Sequence, residues 1–274
     1  MKTIFIAFAN NKMAYSLKRI YRQAKRIGVF DEVITYTPDN LPKYVLQSPL
    51  FSCSRGAGYW CWKPAIIHEA LQKSNEGDIV VYVDAGCTLR KSTEWAKYFK
   101  YMEDYDTICF QYSDKQPQWK KWGADSSKMK YWTKKATLDY LIDLYSNPDI
   151  GDLPQIWGGC LMMKGKDNHL LKKWKDLVFS HPELVQDPTP IEAEDQYPEF
   201  SGHRHDQSLL TPLAIFDSNT LVLPETSEQY NRHSFVWASR CRATNFREYL
   251  AWKIKTDVRH LIGDSVFEKI KNTL

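Results

Sequence analysis

Ile79-Val80-Val81-Tyr82-Val83-Asp84-Ala85-Gly86 reads as a strand that breaks off at a polar turn. Five β-branched or aromatic residues in succession leave no polar face, so the strand should be covered on both sides, as in a parallel sheet packed between helices. Just before it, Pro64 to Lys73 has helical apolar spacing with a proline near its first turn, and Gly77-Asp78 turns the chain into the strand. Residues 2–9 form another apolar, β-rich run. Met13 to Ile27 then carries Leu17, Ile20, Tyr21, Ala24 and Ile27 at helical spacing, closed by Gly28. Phe30 to Thr37 reads as a strand stopped by Pro38, and a proline-rich loop leads to Cys53. Strands alternating with helices predict a doubly wound α/β fold, with a Rossmann-like, mostly parallel sheet flanked by helices.

Downstream, Thr107 to Tyr112 and Ile156 to Met163 are strand candidates, and Thr133 to Tyr145 and His169 to Phe179 have helical spacing. The Trp- and Lys-rich segment Gln116 to Trp132 reads as a loop or lid. Asp187 to Gly202, rich in proline and acids, reads as a loop over a site, ordered or flexible. From Asn245 the chain looks helical, with Phe246, Tyr249, Leu250, Trp252, Ile254, Val258, Leu261, Ile262, Val266, Phe267 and Ile270 interleaved with basic residues. The division is therefore a domain over 1–244 and a C-terminal helical extension over 245–274. That extension either packs on the domain or lies in the interface of an anionic membrane.

The 274 residues, 43% hydrophobic and 26% charged, have the balance of a globular chain and not of a disordered one. A net charge of +4 is too small and too mixed to point to nucleic acid. The six cysteines stand singly with no C-x-x-C, which argues against a zinc site or a disulfide framework. The opening apolar run Ile4 to Ala9 is too short for a signal peptide or a membrane span, so the expected location is cytoplasmic.

Four places could carry chemistry. Asp84 follows a buried strand, and Gly86 lets a ligand approach the backbone; in open α/β sheets this edge binds ligands, although Asp and Gly are also ordinary turn residues. In Arg55-Gly56-Ala57-Gly58-Tyr59-Trp60-Cys61-Trp62-Lys63-Pro64 two cations flank an aromatic turn that enters a helix, an arrangement suited to a pyrophosphate. The alternative is that the aromatics are core and the cations solvated. His203-Arg204-His205-Asp206-Gln207-Ser208 puts an ionisable cluster at the mouth of an apolar helix, where Asp206 is either a cap or part of a reactive edge. Trp157-Gly158-Gly159 precedes a strand, and its glycines permit close approach of a sugar or of another backbone.

In this order, Gly58-Tyr59-Trp60-Cys61-Trp62-Lys63-Pro64, Tyr82-Val83-Asp84-Ala85-Gly86 and His205-Asp206-Gln207-Ser208 resemble bacterial GT-A-fold glycosyltransferases of the capsule and lipopolysaccharide type. The resemblance covers roughly residues 2–240. It implies a nucleotide-sugar donor, UDP- or GDP-linked, held by Ala7, Asn10, Arg55, Tyr59, Trp60, Trp62, Lys63, Asp84, Ala85 and Gly86. The acceptor would be a glycan or lipid-linked glycan, with Trp157, Gly158 and Gly159 on the sugar side. Asp84-Ala85-Gly86 stands where the family has an Asp-x-Asp motif that holds Mn²⁺ or Mg²⁺; the third position here is glycine, and His233 is the nearest match to a late metal-binding histidine. Asp206-Gln207, with His205 beside them, resembles the Asp-Gln element at the anomeric centre of retaining enzymes such as the glycogenin-like and xyloglucan xylosyltransferase families. Were Asp206 instead to reach the acceptor hydroxyl, it would be the base of an inverting displacement. The competing expectations are a nucleotidyltransferase of nucleotide-sugar metabolism, disfavoured by the absence of glycines after the first strand, and a non-catalytic carbohydrate-binding module.

Overall fold

The computed structural model describes residues 1–228 and 233–262. Its centre is a six-stranded sheet made of β1 (Thr3–Phe8), β2 (Glu32–Tyr36), β3 (Ile79–Val83), β5 (Thr107–Gln111), β6 (Cys160–Lys164) and β7 (Thr220–Pro224), in the order β2-β1-β3-β6-β5-β7. Pairings are parallel except those of β6, which runs antiparallel to both β3 and β5. The sheet is therefore mixed and mostly parallel, as the alternating pattern predicts. The chain leaves the centre in opposite directions from β1, outward to β2 and across to β3, which creates the crevice at which such sheets bind ligands.

All five residues of β3 are buried, as an apolar run without a polar face requires. On one side Ile4, Ile6, Phe8, Val80 and Tyr82 pack with α2 (Trp62–Lys73), α4 (Lys135–Tyr145), α5 (His169–Ser180) and α6 (Asp206–Ile215). Phe5, Ala7, Ile79, Val81 and Val83 pack on the other side with α1 (Ala14–Ile27) and α3 (Glu94–Tyr101). Gly28 closes α1 in the left-handed conformation at φ 72°. The cysteines are free, and all but Cys53 are buried, as packing residues should be.

Three elements differ from the sequence expectation. The strand read from Ile156 begins only at Cys160, because Trp157-Gly158-Gly159 forms a turn. Residues 116–132 are no open lid: they form two short helices, Gln118–Lys121 and Met129–Trp132, with Trp119 and Trp132 buried. Strand β7 and the small pair β4 (Thr88–Leu89) and β8 (Val236–Trp237) are additions, the last two joining antiparallel.

Helix α7 (Phe246–Ile262) is the described half of the C-terminal expectation; residues 263–274 lie outside the described residues. It presents Tyr249 and Trp252 to α1, where Tyr249 meets Tyr15 at 5.2 Å and Arg19 lies 5.4 Å from the Trp252 ring. Phe246, Leu250, Ile254 and Val258, four residues apart, stay exposed. Among the described residues no helix is long and apolar enough to cross a membrane. So thin a contact contributes only about 1–2 kcal/mol. Truncation after Thr244 is expected to keep one cooperative unfolding transition in calorimetry and to lower Tm by no more than about 8 °C.

Candidate active site

Because β6 runs against its neighbours, its first residue Cys160 pairs with the last residue of β3, Val83. The Trp157-Gly158-Gly159 turn thus arrives at the edge where Asp84 leaves the sheet, and the Asp84 amide donates to the Gly159 carbonyl at 2.9 Å. Helix α2 begins beneath this edge. Its Lys63 is buried, and the ammonium donates to the Gly158 carbonyl at 3.0 Å, lies 2.9 Å from Asp206 Oδ2 and 4.0 Å from Asp84 Oδ1. Its distance from the Tyr82 ring centroid is 5.4 Å, and the Tyr82 hydroxyl donates to Asp84 Oδ1.

Lys63 and Asp206 are almost wholly removed from water, their side chains only 4% and 5% exposed, whereas that of Asp84 is 40% exposed. Burial pushes the Asp206 carboxyl up to about 6 against the pull of Lys63, with Asp84 adding to the rise. For Lys63 burial acts downward, but Asp206 and Asp84 outweigh it and the net shift is upward. Although Oδ2 of Asp206 is within ion-pair distance, it lacks an aligned hydrogen bond. Lys63 is thus a buried ion-pair partner, neither the free phosphate-facing cation expected from sequence nor the solvated one of the alternative.

The turn before α2 is more ordered than a glycine-rich stretch suggests. Gly56, Ala57, Gly58, Tyr59 and Trp60 all have positive φ, between 52° and 95°. Left-handed backbone costs each non-glycine residue about 1–2 kcal/mol. A Cβ at Gly58 would sit 2.8 Å from the Phe51 Cα, so glycine is required there. The turn is held by Trp62, whose Nε1 donates to the Gly56 carbonyl at 2.9 Å while its ring lies 4.1 Å from that of Phe8. It offers the Tyr59 and Trp60 rings to His205, at 5.2 and 5.3 Å.

His205 itself has φ 51°, and its Nδ1 lies 2.8 Å from the Val185 carbonyl. A carbonyl can only accept, so Nδ1 carries the proton and the buried Nε2 is a lone pair without a hydrogen-bond partner, 3.9 Å from Asp187. Burial lowers its pKa to about 4. Gln207 is oriented at both ends: its amide Nε2 donates to Gln155 Oε1 at 3.0 Å, and its Oε1 accepts from the Gly158 amide at 3.4 Å.

The edge thus gathers Lys63, Asp84, Asp206, Gln207 and Gly158, with Tyr59, Trp60 and His205 beside them. Other expected residues take different roles. Trp62, Trp157 and Ala7 are buried in the core, and Ala85 is buried with its carbonyl accepting from Arg19 at 3.0 Å, so these four side chains present no face to a donor or acceptor. A Cβ at Gly159 would lie 2.5 Å from the Trp157 ring, so that glycine serves packing and not sugar access. Asn10 accepts from the Lys12 amide at 3.1 Å just past β1. Arg55 is exposed and pairs with Asp187 at 3.3 Å. The loop of residues 187–202 is pinned further by Lys134 to Glu192 at 3.0 Å and Lys135 to Asp195 at 2.7 Å.

The donor set does not fit a divalent cation, which takes several oxygens and usually more than one carboxylate. Asp84 already accepts from Tyr82 and faces an ammonium. Gly86 packs under residues 240–241: a Cβ there would meet the Cys241 carbonyl at 3.4 Å, and the Gly86 carbonyl accepts from the Cys241 amide at 2.9 Å. His233 is exposed, and its carbonyl accepts from Ser92 at 2.9 Å, at the far end of the β4–β8 ladder from Gly86. Among the described residues no three His, Cys, Asp or Glu side chains form a metal-binding group.

Two arginines that the motifs did not single out adjoin this edge. Arg240 follows Ser239 at the Gly86 turn, and Arg204 precedes His205. Arg204 lies within the ionisable cluster of residues 203–208, and Arg240 stands next to no motif and carries no sequence signal.

No family model matches the chain, and no curated protein matches it in sequence. Among solved structures it is similar to a glycosyltransferase involved in the glycosylation of the major capsid of PBCV-1, at 8% identity over 82% of each chain and a TM-score of 0.43. It is also similar to mouse xyloside xylosyltransferase 1, at 11% identity over 81% of this chain and 85% of that one, with a TM-score of 0.41. A third is the galactosyltransferase LgtC, solved with donor and acceptor sugar analogues, at 11% identity over 80% and 72% and a TM-score of 0.37.

Breaking a buried pair strands the remaining charge. Lys63→Ala is expected to destabilise the protein by about 3–5 kcal/mol in urea unfolding, and Lys63→Met combined with Asp206→Leu by clearly less, since the second change removes the orphaned carboxylate.

Proposed function

We propose that this protein is a glycosyltransferase of the GT-A type that moves a sugar from a nucleoside diphosphate sugar, UDP- or GDP-linked, to a glycan or lipid-linked glycan in surface polysaccharide synthesis. The observation that carries this reading is the buried Lys63 ammonium between Asp206 and the half-exposed Asp84, at the ligand-binding edge of the sheet. A carbohydrate-binding module needs a stacking surface and few charges. A buried cation sandwiched by two carboxylates is instead the kind of arrangement used to orient and stabilise charge during a reaction.

Asp84 is the exposed acid of the set and binds the donor's hydroxyls, its second oxygen remaining after Tyr82 has taken the first. Asp206 stays buried against Lys63, where a developing oxocarbenium-like sugar would be met by its carboxylate and by the Gln207 amide. A carboxylate only 5% exposed and held against Lys63 has little access to an acceptor hydroxyl, which favours retention over inversion. Trp60 and Tyr59 supply an aromatic wall, and Gln155 fixes which way the Gln207 amide faces. No step is assigned to Mn²⁺ or Mg²⁺, because the donor set at Asp84 does not fit one.

For an acid whose pKa is raised in the folded state, the proton is held between about pH 4 and 6 in the native chain but already lost in the unfolded one. Its stability contribution therefore falls as pH rises through that window, while the ionised form that pairs with Lys63 is complete only above it. Transfer measured as kcat/KM is expected to fall below an apparent pKa of about 6. Asp206→Asn removes that limb and lowers kcat about a hundredfold or more with donor affinity nearly kept. A profile that keeps its limb in the variant refutes the assignment. Product stereochemistry by NMR reads retention directly.

The exposed Phe246, Leu250, Ile254 and Val258 stripe supports a peripheral contact with an anionic membrane face, where a lipid-linked acceptor would be presented. Helix α1 beside it exposes Lys18, Arg22, Lys25 and Arg26 and contains no acid. The protein is expected to float with phosphatidylglycerol vesicles at low salt, and Leu250→Asp with Ile254→Asp to stay at the bottom of the gradient. Flotation by both, or by neither, removes the membrane from the proposal.

A further inference from the structure

We infer that Arg204 and Arg240, carried on the tryptophans of residues 119–132, form the site for the donor's leaving diphosphate, in place of a metal ion. This rests on the transferase reading and adds the residues that meet the phosphates.

At the polar turn that ends β3, the backbone of residues 239–241 packs against Gly86, the position where a second acid would hold a cation. Ser239 Oγ and the Cys241 amide both donate to the Gly86 carbonyl, at 3.0 and 2.9 Å, and the Arg240 Cα lies 3.7 Å from where a Gly86 Cβ would be. Arg240 is thereby placed at the turn, with φ 52°, a conformation that non-glycine residues seldom adopt. The segment cannot drift, because Ser16 Oγ donates to the Cys241 carbonyl at 2.9 Å and the Tyr15 and Ser16 amides both donate to the Ala243 carbonyl at 3.1 Å.

The second guanidinium comes from the other side. Arg204 lies over Trp132 at 4.3 Å and over Trp122 at 5.1 Å, and Arg240 lies over the same Trp122 at 4.8 Å. One indole therefore orients both cations. Stacking covers the faces of a guanidinium and leaves its rim of N–H donors for an anion. Arg240 uses part of that rim on Glu228, at 2.7 Å; Arg204 has no side-chain hydrogen bond or ion pair among the described residues. A half-buried, aromatic-clamped guanidinium without an acceptor is costly to maintain unless a ligand completes it. Two planar forks of this kind match the geometry of phosphate oxygens.

Charge decides which ligand. Lys63 is already balanced by Asp206 and Asp84, so it has little attraction left for a diphosphate. Arg55 is exposed and paired with Asp187. Arg19, also at the Gly86 turn, is spent on the Ala85 and Cys87 carbonyls. Among the described residues the Arg204–Arg240 pair, with Glu228 as its ion-pair partner, is the positive group left for an anion, and a glycosyl phosphate bond that breaks there leaves both bonding electrons and a new negative charge on the diphosphate. The guanidiniums stabilise that charge without a proton transfer.

The test uses the full chain in EDTA, with inorganic pyrophosphate, UDP and GDP as probes in calorimetric titration and uridine and guanosine as controls. The wild type is expected to bind at least one phosphate probe without metal, and Arg204→Gln and Arg240→Gln each to weaken it at least about tenfold, with Arg240→Lys recovering part of the loss. Arg55→Gln should bind like the parent. Intrinsic tryptophan fluorescence and circular dichroism confirm that each variant is folded. The inference is overturned if binding is unchanged in both glutamine variants, or if the wild type binds none of the phosphate probes until Mn²⁺ is added. The two readings fail separately: pyrophosphate bound at the arginines with no turnover of any nucleotide sugar would end the transferase reading, whereas sugar transfer that survives both substitutions would place the diphosphate elsewhere.

Discussion

The contact on which the rest depends is the ion pair between Lys63 and Asp206. Two charges removed from water at the end of a hydrophobic sheet are costly, and their mutual attraction offsets this only if the surroundings supply further partners. Those partners come from separate parts of the chain. The Gly158 carbonyl takes one ammonium hydrogen, Asp84 adds a second negative charge at 4.0 Å, and the Asp206 backbone carbonyl accepts from Trp174 at 3.1 Å inside the core. Helix α2, the turn before β6, the end of β3 and the start of α6 must all be in place before the pair is tolerable. The site and the fold therefore specify one another: the sheet brings these ends together, and the pair penalises any arrangement that does not.

That constraint accounts for features that otherwise look wasteful. The backbone enters α2 through five successive left-handed residues and enters α6 through His205 at φ 51°. Strain at both entrances lets the first residues of the two helices face one another, with Tyr59 and Trp60 against the His205 ring. Such strain persists only where the surroundings over-determine it. Here Trp62 and Phe8 hold one side, and the Val185 carbonyl holds the other.

Sequence made the architecture legible because its signals are local. The apolar run of β3 has no polar face, so it could only be a covered strand, and the Gly28 stop and the Pro64 start mark helices by backbone chemistry. The partners of the site were less visible. Periodicity places Lys63 at a helix start but not its depth, and nothing local tells a buried ion-pair lysine from a solvated one. Trp62 and Trp157 look like ligand surfaces in sequence because aromatic residues beside glycines serve both roles, and only packing decides between them. Antiparallel β6 was the other hidden fact. A strand's direction leaves no trace in its apolar pattern, yet it is what delivers Gly158 to Lys63.

The same hidden geometry bears on the glycine at position 86. Read along the chain, it is a missing ligand in an acid-x-acid pattern. In space it is the seat of residues 239–241, whose backbone replaces the side chain that is absent. A residue can be lost from a motif without loss of the task when another segment occupies the volume and brings groups of its own. Here the incoming segment brings a cation where the motif would have supplied an anion to hold one. In the inferred site, positive charge is presented to whatever binds over Asp84 by groups that are covalently fixed and cannot be removed by a chelator.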